Sequence, residues 1–499
     1  MEVRVFYVSL SLLFFLLALK LHLSRKHKNS ALPPSPPALP VIGHLHLLKR
    51  RPMHLTFYSL AKKCGPIISL RFGSRLVVLI SSPSPFEECF TKNDVVLANR
   101  PKLLLGTHLA YNHTTLLQAP YGDHWRNLRR IGAVEIFSTH RINKFVSIRK
   151  DEIKQLLIKL SHKSLQNFGK VELKSMFQEL TFNIMMIMVA GKRYYVDDVT
   201  DEEEARQFRE IMTEAVTFAG ASNPGDFLPI LNWIDGGEFE KTVIRLGKRM
   251  DMFLQGLVDE HKRKEDLESM NTMIGQLLSL QVTQPEYYTD EIIKGLVLVI
   301  IGAGTDTSVV TLEWAMSNLL NNPNTLKKAR DELDTQVGEE FLLDETHLLK
   351  LQYLQNIISE TLRLNPAAPL LVPHESSKSC SIGGYNVPRD IILLVNAWAI
   401  HRDPTVWDDP TSFKPDRFDN EGEDGKVIAF GCGRRSCPGA GLAQRVVCST
   451  LGSLIQCFEW KRVSEKEVDM TEGRGITLQK VVPLEAICKS RPIMDRILC

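Results

Sequence analysis

No Cys-x-x-Cys pair occurs anywhere in the chain, which removes the commonest zinc-thiolate frameworks. The nine cysteines are odd in number, and six of them fall after residue 430 without regular spacing, so a disulfide scaffold is excluded as well. Reduced thiols in a cytosol-facing protein are expected instead. Charge of one sign is equally scarce. A net charge of +3 and a pI near 8.3 give no field for nucleic acid, and no nucleic-acid partner is expected. Internal repeats and long low-complexity tracts are missing too. What is there, 44% hydrophobic and 24% charged residues, is ordinary for a folded protein, and 499 residues suit a helix-rich enzyme built as one body.

Val5 to Leu19 is almost unbroken apolar sequence, extended to Leu23 if Lys20 snorkels, about the length needed to cross a bilayer. Arg25, Lys26 and Lys28 follow it and only Arg4 precedes it, so the positive-inside bias leaves the bulk of the chain cytosolic. Residues 1–24 are therefore read as a single-pass signal anchor with membrane lipid as partner. A cleaved secretory signal is the alternative, disfavoured by a weakly basic start and the lack of a small-x-small site. Residues 25–43 read as a basic and proline-rich hinge, since the prolines between Ala31 and Gly43 fix φ and remove donors. Residues 44–499 are the catalytic body.

Phe430-Gly-Cys-Gly-Arg-Arg-Ser-Cys-Pro-Gly439 sets a cysteine in a glycine-rich turn with an apolar helical stretch, Gly441 to Phe458, directly behind it. Backbone N–H groups freed by Gly433 and Gly439, the helix N-terminus and Arg435 are each expected to favour the thiolate of Cys437. A thiolate held this way suits an axial ligand on haem iron, where its electron density favours O–O cleavage. A dinucleotide phosphate loop fits worse, because Ser436 stands where the third glycine would fall after Gly431 and Gly433. A buried structural cysteine is the plain alternative for the loop taken alone.

Tyr288 to Asn321 is the longest helical candidate, with Thr289 as N-cap, Asp290 and Glu291 in the first turn and Pro323 beyond its end. Its apolar middle carries Ala303-Gly-Thr-Asp-Thr-Ser308. Gly304 permits close approach of another body, and the glycine and hydroxyls are expected to let the helix open locally. A carboxylate beside an alcohol within a core helix costs free energy unless it serves a purpose. The purpose read here is proton delivery to dioxygen, with Thr307 donating the hydrogen bond and Asp306 feeding protons from solvent. The alternative for Thr307 is a hydroxyl bonded back to its own helix.

Other signals are structural. Ile67 to Ser81 alternates and turns at Gly73-Ser74, a β-hairpin signature. Trp125 and Arg129 are four apart on a helix starting near Tyr121 and present an indole N–H and a guanidinium on one face; a surface cation stacked on an aromatic is the plain alternative. Pro224 to Ile234 is an apolar loop that either dips into lipid or packs on the body. His261 to Glu268 reads as a charged connection.

The spacing Phe430-x-x-Gly433-x-Arg435-x-Cys437-x-Gly439 resembles the haem-binding signature of the cytochrome P450 superfamily, and the likeness extends along nearly the whole chain. Anchor, proline-rich hinge, Trp-x-x-x-Arg, acid–alcohol helix, Glu360-x-x-Arg363, Pro415-Asp-Arg-Phe418 and cysteine loop stand in the family's order. Among plant microsomal members the chain looks closest to family 81, the isoflavone 2'/3'-hydroxylase-like enzymes, on Tyr121 to Arg130, Gln284 to Asp290, Val372 to Ser376 and Gln456 to Lys461. The resemblance implies a mainly α fold with small β-sheets and a single catalytic domain.

It implies haem b (heme b, iron protoporphyrin IX) with Cys437 as its metal ligand. Arg435, Phe430, Gly431, Trp125, Arg129, His374, Ala303 and Gly304 are implied around the cofactor, and Asp306 and Thr307 as the catalytic pair. His374 stands where the family commonly has Arg. Glu360, Arg363 and Arg417 are implied as a fold-stabilising triad, with Asp416 where Glu is more usual, and Ile476 and Leu478 as the roof of the pocket. The resemblance implies that NADPH reaches the haem through NADPH-cytochrome P450 reductase; Arg434 and Arg445 offer it a basic face, for which a merely solvated surface is the equal alternative. The implied activity is hydroxylation of a small hydrophobic phenolic metabolite at the endoplasmic reticulum membrane. Oxidative ring closure, phenol coupling and diterpenoid oxidation are the alternatives on the same site. A haem-thiolate isomerase or a haem sensor would not need the intact Asp306–Thr307 pair.

Overall fold

In the computed structural model, residues 7–15, 32–48, 52–164, 168–195, 202–220, 223–234, 237–264, 271–420 and 422–498 are described. Gly73, at φ +54°, closes the expected hairpin between β1 (Ile67–Phe72) and β2 (Arg75–Ile80), which pair antiparallel from Ile67↔Ile80 to Phe72↔Arg75. A side chain at Gly73 would collide with the Phe227 carbonyl, so the turn needs glycine for room as well as for φ. β3 (His374–Glu375) and β4 (Ile392–Val395) complete a four-stranded sheet in the order β1-β2-β4-β3, with β2 and β4 parallel. A second sheet joins Gly169–Glu172, Glu485–Ser490 and Phe458–Lys461.

A third, two-stranded sheet pairs Cys380–Ile382 with Tyr385–Val387, and helices dominate the remainder. α1 (Asp123–Ile131), α2 (Leu173–Ala190), α3 (Glu202–Gly220), α4 (Asp290–Asn321), α5 (Gln352–Leu364) and α6 (Ala440–Cys457) frame the site. Thr289 caps α4 as expected, its hydroxyl accepting the Ile292 N–H at 3.4 Å. Residues 308–320 of α4 are buried without exception, each Leu-sized side chain there contributing about 1.5–3 kcal/mol. α4 is also the one helix among the described residues long and apolar enough to cross a bilayer, and that apolar surface is spent in the core. Residues 7–15 of the expected anchor are helical and exposed; the rest of 1–24, and 25–31 of the hinge, lie outside the described residues.

Glu360, Arg363 and Arg417 do form a triad. Arg363 donates to both Glu360 oxygens, at 2.6 and 2.9 Å, Arg417 Nε reaches Oε1 at 3.1 Å, and Glu360 and Arg363 are fully buried. Asp416 faces Lys328 at the exposed edge instead.

Four expectations need correction. α4 does not open at 303–308: it runs unbroken, because each hydroxyl of the cluster bonds the carbonyl four residues back without displacing the ladder. His261 is not on a charged connection but buried inside the helix Glu238–Lys262, with Nδ1 2.8 Å from Leu257 O; 265–268 lie outside the described residues. Leu478 is not at a pocket roof. It is buried against Val310, Trp314 and Trp398, while Ile476 lines a cavity described below. The stretch expected as an apolar loop is instead a 3-10 turn at Pro224–Asp226 followed by a short helix, Ile230–Ile234; Phe227 packs edge-on to Phe72 at 5.5 Å and Ile230 is 61% exposed.

Candidate active site

Cys437 sits in the turn that leads into α6. Its N–H donates to Phe430 O at 2.8 Å, and Gly431 and Gly433, at φ +71° and +67°, bend the chain back over this contact. Asp94 pins the loop from outside, accepting Arg434 N–H at 3.1 Å, and fills the space a side chain at Gly433 would need. The electrostatics differ from the sequence-based expectation. Although Cys437 is open to solvent, the protein packed around the sulfur pushes its thiol pKa up, and the Gly439 N–H and the Arg129 guanidinium oppose it only in part. Arg435 is not the cation that acts on the sulfur. Ionisation of this thiol belongs to coordination itself, since a metal deprotonates the sulfur it binds.

Arg435 turns the other way. Its Nε donates to Ala98 O at 2.7 Å, its terminal nitrogens reach Leu116 and Ala119 carbonyls, and its guanidinium lies over the Trp125 ring. Trp125 is buried on α1 with Nε1 donating to Leu116 O at 3.1 Å. Arg129, one turn on, donates to Ser436 O at 2.7 Å. His374 on β3 is buried, with Nδ1 2.8 Å from Leu97 O; burial and then the nearby Arg100 hold its pKa well below the usual imidazole range, so it is neutral.

Arg100 completes this group and was not singled out in the sequence. It is buried, donates to Val372 and Pro373 carbonyls at 2.9 and 2.7 Å, and is pulled down to about 9 by burial and by Arg435. Burial, and next to it Arg129, pulls Arg435 down to about 10. None of Arg100, Arg129 and Arg435 has a carboxylate partner among the described residues, only backbone carbonyls and, for Arg129, the Ser436 hydroxyl at 3.3 Å. Three clustered guanidiniums without a counter-anion are costly unless an anion joins them.

Across the core, Ala303 is exposed in the middle of α4, although 308–320 behind it are buried throughout. Thr307 lies one turn on, on the same face, and its hydroxyl donates to Ala303 O at 2.7 Å. The back-bonded alternative is thus the one observed, and it leaves the oxygen's lone pairs as acceptors. Gly304 faces α2, where a side chain would meet the Met185 sulfur at 2.8 Å, so the close approach it permits is that of a packing helix. Asp306 points to a cavity of about 510 Å³ between α2, α3, α4 and the turn 474–479. A soft thiolate donor, a cluster of arginines wanting carboxylates and a small exposed residue on a core helix together fit an iron porphyrin with two propionates.

The comparisons decide the family. The family model described as Cytochrome P450 matches residues 33–485. The chain belongs to the cytochrome P450 family.

It is 57% identical to cytochrome P450 81Q32 of Catharanthus roseus, across 99% of this chain and 98% of that one. It is 55% identical to an isoflavone 3'-hydroxylase of Medicago truncatula (99% of each chain) and 54% identical to a (+)-piperitol/(+)-sesamin synthase of Sesamum radiatum (100% and 99%). A zebrafish cytochrome P450 solved with progesterone superposes with a TM-score of 0.76 at 25% identity, covering 88% of this chain and 100% of its own. Within the P450s the chain therefore stands with family 81. It is a haem-dependent oxidoreductase supplied by NADPH through a reductase, acting on a hydrophobic small molecule. Of the basic residues offered for the reductase, Arg434 pairs with Asp94 at 3.4 Å and Arg445 with Glu345 at 3.1 Å, so both have partners within the chain.

Proposed function

We propose that this P450 hydroxylates a small phenolic plant metabolite of the flavonoid or isoflavone kind, at the cytosolic face of the endoplasmic reticulum, with residues 1–24 as its anchor and 25–43 as its hinge. The observation that carries the substrate class is the isoflavone 3'-hydroxylase, 55% identical from end to end. Lipid contact is supported by the apolar run Val5 to Leu19 and by exposed Ile230.

The haem, when bound, supplies dioxygen activation and the oxidation. Cys437 Sγ would be its iron ligand, while Arg100, Arg129 and Arg435, steadied by Trp125 and neutral His374, would hold its propionates. Phe430 and Gly431 would shape the loop that carries its ligand, and Ala303 would leave it room. Thr307 Oγ1, whose own hydrogen is given to Ala303 O, accepts a hydrogen bond from water on the open face of α4 and so holds that water in place. Asp306 passes protons inward from water in the cavity it lines, and such a general acid contributes about 10²–10⁴-fold.

Product mass tests the proposal. Microsomes carrying the protein and its reductase are given NADPH and a panel of flavonoids, isoflavones, lignans and diterpenes. Gain of one oxygen on a phenolic supports hydroxylation. Oxidative ring closure is the second reading, favoured by the relative named a piperitol/sesamin synthase, and loss of two hydrogens without oxygen gain would select it.

A further inference from the structure

The Asp306 carboxylate is held at both oxygens by one short turn near the C-terminus. Thr477 Oγ1 donates to Oδ2 at 2.6 Å, within the range of charge-assisted O–H···O bonds, and Gln479 Nε2 donates to Oδ1 at 3.1 Å. The Gln479 amide cannot usefully be turned over. Its carbonyl oxygen accepts from Lys174 Nζ on α2 at 3.3 Å, so the amide presents oxygen to the ammonium and nitrogen to the carboxylate. The turn itself is anchored. Gly473 N–H donates to Gln479 O at 2.7 Å, Leu478 N–H donates to Ala367 O at 2.9 Å, and Trp314 Nε1 on α4 donates to Leu478 O at 2.6 Å. Thr477, Gln479 and Ile476 line the same cavity as Asp306.

A side chain on a helix facing a cavity has several rotamers open to it, and each hydrogen bond that fixes one narrows the choice. We infer that Thr477 and Gln479 are positioning residues for the proton donor Asp306, with Lys174 setting the orientation of Gln479. They aim the carboxyl group so that water in the cavity and the Thr307 side of α4 are both within its reach. Neither residue touches the reacting atoms. The inference rests on the reading of Asp306 as the proton donor, and its test separates the two.

Four variants of the full-length holoenzyme suffice: Asp306→Asn, the double change Thr477→Val with Gln479→Leu, Gln479→Glu, and Thr477→Ser. The first readout is hydrogen–deuterium exchange in the resting protein, which needs no substrate. Loss of the clamp is expected to raise exchange at 303–309 and 473–480 in the double variant and leave the rest of the chain protected. The second is NADPH consumed per product, with the solvent isotope effect on product formation, using the phenolic that the product screen identifies. The double variant is expected to waste about tenfold more NADPH, part of the 10²–10⁴-fold a general acid supplies, with a larger isotope effect. Thr477→Ser, which keeps the hydroxyl, restores coupling. Gln479→Glu keeps the length and the Lys174 contact but replaces the donor with an acceptor, so it uncouples even if the double variant does not fold. Unchanged exchange, or wild-type coupling in the double variant and Gln479→Glu while Asp306→Asn uncouples, overturns the positioning role. Wild-type coupling in Asp306→Asn overturns the proton-donor reading beneath it.

Discussion

The guanidinium of Arg435 lies 4.4 Å from the centroid of the Trp125 ring, which ties the loop of the cysteine ligand to helix α1. The contact explains why a tryptophan one turn before Arg129 belongs to the site although its indole N–H is occupied by Leu116 O. It holds a cation in place while that cation's charge remains available to an anion.

Trp125→Leu removes the stack and keeps an apolar side chain. A partly desolvated cation–π contact is worth about 0.5–2 kcal/mol, so haem loss is expected to accelerate roughly two- to thirtyfold. Transfer of haem to an excess of apomyoglobin measures the rate, and an unchanged rate contradicts the role.

The Glu360 triad is a stability device. Glu360→Ala leaves Arg363 buried with one partner gone and is expected to cost about 3–5 kcal/mol, whereas Asp416→Ala at the exposed edge costs less than about 1 kcal/mol. Urea denaturation of the two variants reads the difference.

Much of this was legible because its signals are local. The cap at Thr289, the turn at Gly73 and the Cys437 loop each declare themselves within a few residues, whereas the Glu360–Arg363 pair is singled out only by the family resemblance. What escaped depends on partners distant in sequence. Arg100 becomes part of the site only when β3 and the Cys437 loop fold onto it, and Asp94 only when the glycine loop docks over it. Arg435 stands two residues before the cysteine, yet Arg129 acts on the sulfur, because adjacency along a turn does not say which way a side chain leaves it. Gly304 offered space without saying that Met185 of α2 would take it.

Glu313 gives a pH signature. It is fully buried on α4, accepts Leu484 N–H at 2.9 Å through one oxygen and has no partner among the described residues on the other. Burial raises its pKa, opposed by Leu484 N–H, Lys174 and Lys480. A carboxyl raised in the fold contributes stability that is present below its unfolded value and is lost as pH rises through its folded one. Each unit of that rise costs about 1.4 kcal/mol at higher pH. Glu313→Gln is therefore expected to raise the melting temperature more at pH 8 than at pH 5, and a pH-independent difference contradicts this.

Thr307→Ala deletes the hydroxyl that donates to Ala303 O on the open face of α4 and that is proposed to take part in proton delivery. NADPH oxidation is expected to continue with product falling at least about tenfold, a modest share of an acid–base contribution. Equal coupling in variant and wild type would remove Thr307 from proton delivery.

The central claim is that this chain inserts oxygen from dioxygen into a phenolic. Turnover under isotopically labelled dioxygen in ordinary water, followed by mass spectrometry of the product, tests it most directly. One labelled oxygen atom in the product is the predicted result. Product that has gained no oxygen, or whose new oxygen comes from water, would contradict it.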